Sequence, residues 1–154
     1  LNPMNGVKWL YMVFLGEYEV TFTGQGRINI PKKIRESLGK DNTVVLTKGF
    51  DRCLAGFRHE DWDKGAQELL APSLLEMDKA EIKRHLFSSA AVCEIDEQGR
   101  IVIPKNLLRY AKLEEKNMTV IGVGAHFEIW DTNEWQKYQE ETEPIIKKIS
   151  NKNT

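Results

Sequence analysis

The eight residues Gly24-Gln25-Gly26-Arg27-Ile28-Asn29-Ile30-Pro31 return later in the chain as Glu97-Gln98-Gly99-Arg100-Ile101-Val102-Ile103-Pro104. A constant shift of 73 positions carries Gln25, Gly26, Arg27, Ile28, Ile30, Pro31 and Lys32 onto identical residues, and Gly49 onto Gly122. The same shift places Leu54 on Phe127, Phe57 on Trp130 and Trp62 on Trp135. Agreement over such a length without a gap marks one structural unit used twice, at 16–62 and 89–135. Each unit has about 47 residues, at which an isolated domain buries too little surface to be secure, so the two are expected to share one core. The rest of the chain then divides into an N-terminal extension (1–11), a helical linker (63–88), and a C-terminal helix and tail (136–154).

Charge narrows the function classes. The formal net charge is −1 over 154 residues, which counts against coating nucleic acid by bulk electrostatics and leaves a local basic patch as the only route to it. Cys53 and Cys93 match neither a CxxC pair nor a zinc-finger spacing, and read as core filler in a reducing, cytoplasmic setting. The apolar stretch Leu1 to Tyr11 is too short to span a bilayer, and no membrane partner is expected; Met12 is a candidate natural start.

Hydrophobic alternation in Glu17 to Thr23 puts Tyr18, Val20 and Phe22 on one face of a strand. Gly24-Gln25-Gly26 turns the chain, and Arg27 to Ile30 alternates again, sending Arg27 and Asn29 outward and the isoleucines inward. Pro31 opens a short helix with a basic start that Gly39 ends. Strands follow over Thr43–Thr47 and Arg52–Phe57, then a helix from an Asp61 cap to Leu70, broken at Pro72. A second helical segment spans Ser73 to Phe87. The second unit repeats the order: strands over Ala91–Asp96 and Arg100–Ile103, a helix from Pro104 to Ala111, strands over Met118–Gly122 and His126–Trp130, and a helix from Asn133 that Pro144 bends. In that last helix Trp135, Tyr138, Thr142, Ile145 and Ile149 form a stripe, which either packs on the body or meets neighbouring subunits.

No catalytic or metal-binding constellation emerges. His59, His85 and His126 lie on different elements, Cys53 is replaced by His126 across the repeat, and no HExxH, P-loop or GxSxG occurs. Neither an enzyme nor a cofactor is expected. What remains is a pair of arginine-bearing turns, each beside a basic helix start. Arg27, Lys32, Lys33, Arg35 and Lys40 face one acidic residue, Glu36, and Arg100, Lys105, Arg109 and Lys112 face none within 100–112. The arginines either pair with carboxylates, Arg100 with Asp96 for example, or meet a polyanion. In the second case Arg27 and Arg100 contact guanine edges, Gln25 and Gln98 add base contacts, and Lys32, Lys33 and Lys105 hold phosphates. Gly26, Gly99 and Asp96 shape the turns.

Asp96 to Pro104 resembles the Asp-x-x-Gly-Arg-Ile-x-Ile-Pro core of the SpoVT/AbrB domain of bacterial transition-state regulators and antitoxins. Two such units, with Phe14-Leu15-Gly16, Cys53-Leu54, Phe127 to Asp131, Trp62 and Trp135, resemble the MraZ family more narrowly, over about Met12 to Tyr138. The resemblance implies an α+β fold, a double-psi or swapped-hairpin β-barrel of two tandem pseudo-symmetric repeats with accessory helices. It also implies a ring-like homo-oligomer and a transcriptional regulator, a repressor associated with the nucleoid, that binds tandem direct repeats in double-stranded DNA at a division and cell-wall gene cluster. An antitoxin-like or scaffolding interaction module is the alternative. Thr23 stands where the family has Asp, and Gly24-Gln25 where a lysine often precedes the Gly-Arg.

Overall fold

The computed structural model describes residues 13–70, 79–113 and 117–152. The expectations for Leu1 to Met12, for the break at Pro72 and for the start of the second helical segment lie outside the described residues. The elements are β1 (Glu17–Val20), β2 (Arg27–Asn29), α1 (Lys32–Ser37), β3 (Thr43–Lys48), β4 (Leu54–Phe57), α2 (His59–Leu70), α3 (Ala80–Ser89), β5 (Ala91–Glu94), β6 (Arg100–Val102), α4 (Lys105–Tyr110), β7 (Met118–Gly122), β8 (Phe127–Asp131) and α5 (Thr132–Lys152). The mixed α+β class follows.

Pairing between the repeats organises the fold. Within each repeat β3 pairs with β4 and β7 with β8, but β1 lies against β7 and β5 against β3, so each repeat's first strand completes the other's sheet. The β4–β8 pair joins the two halves into a six-stranded antiparallel sheet, ordered β1-β7-β8-β4-β3-β5. The remaining strands, β2 and β6, pair with each other as a separate antiparallel ribbon. The expected closed barrel is not found among the described residues: β1 and β5 stand at the two edges of the sheet, and the hydrogen-bonded strands do not close. Strand ends also shift. Only 17–20 of the 17–23 run is strand, with Phe22 bridging Ile28, because the chain must leave the sheet to enter the ribbon.

One core draws on both repeats. Ile28 and Ile101, Ile30 and Ile103, Ile34 and Leu107, and Leu54 and Phe127 are four pairs of equivalent positions, and all eight side chains are buried in one cluster. Each such burial contributes about 1.5–3 kcal/mol against leaving the side chain in water. Beside it, Arg58 is a buried cation. Its Nε donates to the carbonyl of Ser37 at 2.5 Å, its Nη1 pairs with Asp61 Oδ2 at 2.5 Å, and its guanidinium lies 4.5 Å from the centre of the Phe14 ring. Helix α2 begins at His59, two residues before the expected Asp61 cap, so Asp61 lies within its first turn and pairs there with Arg58.

Helix α5 runs unbroken for 21 residues with Pro144 inside it. Trp135 and Tyr138 pack on Trp130, Ile121 and Cys53, whereas Ile145, Ile146 and Ile149 are exposed. The stripe therefore divides, its first part seated on the body and its second part uncovered.

Candidate nucleic-acid interface

Ribbon geometry brings the two arginines together. In the β2–β6 register Arg27 faces Val102, Ile28 faces Ile101 and Asn29 faces Arg100. Since side chains alternate along a strand, Ile28 and Ile101 share the inner face and are buried, while Arg27, Asn29, Arg100 and Val102 share the outer face. Arg27 and Arg100 are thus diagonal neighbours, a relation that puts residues about 7–8 Å apart. The pseudo-symmetry extends to the backbone: the Ile30 N–H donates to the carbonyl of Gly99 and the Ile103 N–H to that of Gly26, both at 2.9 Å.

The two turns differ in how they are held. In the second, Asp96 accepts the backbone N–H groups of Gln98 and Arg100 and the Nε of Arg100, each at 2.9 Å. The Arg100 N–H, helped by the Arg100 guanidinium and the Gln98 N–H, holds the Asp96 carboxyl below its ordinary range. In the first turn Thr23 replaces that carboxylate and offers only a long contact from its hydroxyl to the Arg27 carbonyl. Gly24, Gln25 and Gly26 there take φ of 104°, 53° and 78°, whereas Gly99 alone is left-handed in the second. Exposed Arg27 has no side-chain partner among the described residues. Arg100 takes up the pairing with Asp96 that the sequence left open, through one edge of its guanidinium.

A groove of about 560 Å³ runs along this face, with Arg27, Arg100, Asp96, Glu94 and the exposed valines Val92 and Val102 in its lining. Exposed Gln25 and Gln98 sit on the turns that bound the ribbon. The lysines are more dispersed. Lys32, Lys33 and Lys105 are exposed at the starts of α1 and α4, but Lys33 lines a separate hollow with Tyr18 and Glu36, and Lys105 another with Arg109 and Leu108. Arg35 is a cation outside the set chosen from sequence. Its Nε donates to the Ile30 carbonyl at 3.0 Å and its guanidinium covers Gly99, where a Cβ would come within 2.6 Å of it. The equivalent contact across the repeat is Leu108 over Gly26. Arg35 thus belongs to the turn of the other repeat, a placement that only the exchange of strands creates.

The other polar candidates serve the fold. His85 Nε2 and the Tyr110 hydroxyl both donate to the Gly49 carbonyl, at 2.7 and 2.8 Å, and His126 pairs with Glu128 at 3.1 Å. Burial pushes the Cys93 thiol up to about 11 and the Cys53 thiol higher still, Glu128 and Asp51 adding to the effect at Cys53. Among the described residues no group of three or more His, Cys, Asp or Glu could hold a metal ion, and no helix is long and apolar enough to cross a membrane.

The family model described as "MraZ protein, putative antitoxin-like" matches the chain twice, at residues 13–85 and 86–152. A protein of Heliobacterium modesticaldum named "Transcriptional regulator MraZ" is 39% identical over 140 residues, 91% of this chain and 96% of the relative. Relatives of the same name from Ligilactobacillus salivarius and Roseiflexus castenholzii are 40% and 41% identical, over 85% and 80% of this chain and 90% and 85% of their own length. With a doubled match from residue 13 to residue 152 and these relatives aligned along most of their length, the chain belongs to the MraZ family.

Proposed function

We propose that the chain is a sequence-specific DNA-binding transcriptional regulator, a repressor that binds short direct repeats as a ring-like homo-oligomer at the bacterial nucleoid. The observation that carries this reading is the pair of arginines on one outer face of a two-stranded ribbon. Such a ribbon fits the major groove, where a guanidinium donates to O6 and N7 of guanine together. A separation of about 7–8 Å matches two base-pair steps of about 3.4 Å, so both arginines can meet bases of one box. Arg27 is free to move toward a base, whereas Arg100 is held by Asp96 and presents its terminal nitrogens.

Gln25 and Gln98 extend the reading edge, and Lys32, Lys33, Lys105 and Arg35 are the phosphate contacts that set register. A subunit with a net charge of −1 gains affinity through several such ribbons engaging several boxes at once. The strand exchange between the repeats supports reading 16–62 and 89–135 as a swapped-hairpin pair of SpoVT/AbrB type.

The test is DNA binding at stated salt, with boxes selected from random duplexes. Arg27→Ala with Arg100→Ala lowers affinity for the selected site by about a hundredfold and leaves the oligomer intact, each arginine–guanine contact being worth about 1–3 kcal/mol. Unchanged affinity in the double variant overturns the reading. A protein partner captured with no salt-sensitive DNA shift favours the antitoxin-like alternative.

A further inference from the structure

Arg27 and Arg100 stand on turns of similar sequence but unlike construction. Both turns close on the same backbone bond at 2.9 Å, the Thr23 N–H to the Arg27 carbonyl and the Asp96 N–H to the Arg100 carbonyl. Inside that bond they part. The Arg100 N–H goes to the Asp96 carboxylate, which also accepts the Gln98 N–H and the Arg100 Nε, whereas the Arg27 N–H goes to the Gly24 carbonyl at 3.0 Å. Gly24, Gln25 and Gly26 are all left-handed there, and two of the three are glycines, the residue that loses most freedom when held in one conformation.

The covers over the two turns differ as well. Arg35 and Leu108 occupy equivalent positions of the repeat. The Arg35 guanidinium, tied by its Nε to the Ile30 carbonyl at 3.0 Å, lies across Gly99, so that a Cβ there would fall 2.6 Å from the guanidinium carbon. A Cβ on Gly26 would meet only the Ile103 carbonyl and the end of Leu108, at 3.3 and 3.4 Å. The second turn is thus held by a carboxylate from within and a cation from above, and the first by neither.

A guanidinium has two edges that present a pair of donors. With Nε committed to Asp96, Arg100 keeps one of them, Nη1 with Nη2, and the turn sets its direction. That edge matches O6 and N7 of guanine; any other base in the place sets a donor against an amino group or leaves it without an acceptor. Donors held in one direction have no second partner to turn to, so the wrong base is rejected strongly. Exposed Arg27, with no side-chain partner among the described residues, can swing to a neighbouring base or a phosphate when its guanine is changed.

We propose that the two arginines divide the work: Arg100 fixes the identity of one guanine, with Asp96 and Arg35 as its positioning residues, while Arg27 adds affinity and leaves its base nearly free. The inference deepens the proposed function and rests on its DNA-binding part.

The test compares affinities, at one salt concentration, for the selected box and for boxes with each guanine changed in turn. Arg100→Ala abolishes the penalty at one guanine, where the wild-type chain loses about tenfold or more; Arg27→Ala weakens every box alike. Asp96→Thr, which copies Thr23, and Arg35→Leu, which copies Leu108, each reduce the penalty at that guanine to about threefold, whereas a lost phosphate contact would lower all affinities together and leave the ratio unchanged. Thr23→Asp with Gly24→Glu gives the first turn the residues of the second and raises the penalty at a second guanine toward about tenfold, a gain that damage to the fold cannot produce. Two equally strict guanines in wild type, one lost with each arginine, overturn the inference while DNA binding stands. A ratio indifferent to Asp96→Thr and Arg35→Leu, or a first turn that gains nothing from the paired substitution, does the same. Affinity that survives loss of both arginines overturns the inference and the proposed function together.

Discussion

Removing Asp61 should cost more stability than its own contacts suggest, because it orphans a cation that the fold has already taken out of water. Arg58 is 9% exposed and its Nη2 has no partner even in the intact structure. Asp61, with its side chain 30% exposed, can turn to solvent if Arg58 is lost; Arg58 has no such recourse if Asp61 is lost. Breaking a buried pair by deleting one partner costs about 3–5 kcal/mol, and the exposure of this pair's acid argues for the low end, about 3 kcal/mol for Asp61→Ala. Arg58→Met keeps an apolar stem over Phe14 and strands the Ser37 carbonyl and an accessible carboxylate, for about 2 kcal/mol. Once Arg58 is gone, Asp61→Ala has little left to remove, so the double variant loses about 2 kcal/mol and the coupling is about 3 kcal/mol. Urea unfolding of the four proteins at one protein concentration, followed by tryptophan fluorescence, measures the cycle. Additive losses, with coupling under about 0.5 kcal/mol, would refute the claim that the two side chains act as a unit.

Other expectations follow from the turns and the thiols. Because hydrogen bonds depress the Asp96 pKa in the folded chain, the order they give the second turn is complete above the ordinary 3.8 and is lost only as pH falls through the lower folded value. The amide resonances of Gln98 and Arg100 should therefore titrate with a midpoint below 3.8, and a midpoint at or above it refutes the assignment. Gly99→Ala combines a φ of 79° with a Cβ against the Arg35 guanidinium and should cost about 1–2 kcal/mol by chemical unfolding, against near-neutrality if Arg35 simply swings aside and the turn relaxes. Both thiols are buried and shifted upward, so a disulfide reagent at pH 8 should label native protein far more slowly than protein in denaturant; rapid stoichiometric labelling of folded chain contradicts their placement.

Local patterns made the repeats, the strand faces and the outward arginines legible. Alternation around Arg27 and Arg100 is a short-range signal, and burial of Ile28 and Ile101 obeys it. The partners of those strands were not legible, since pairing β1 with β7 or β2 with β6 leaves no mark within either segment. Arg35 was overlooked as a site residue for the same reason, its contact being with the other repeat's Gly99. Asp61 looked like a helix cap because its role depends on Arg58, whose burial no periodicity announces. The groove's mixed charge was also hidden: Glu94 and Asp96 come beside Arg27 only through the ribbon.

Because each half supplies a strand that the other half's sheet needs, neither finishes folding by itself. During synthesis the first repeat, 16–62, emerges with the flank of β3 and the whole of β1 unmatched; β3 waits for β5, which ends at Glu94, and β1 for β7, which ends at Gly122. The tether between the halves turns what would be an encounter of two separate molecules into a search within one, so assembly of this unit is independent of how much protein the cell contains. A cut in that tether should make folding depend on dilution, and two neighbouring nascent chains can trade halves wherever they wait side by side.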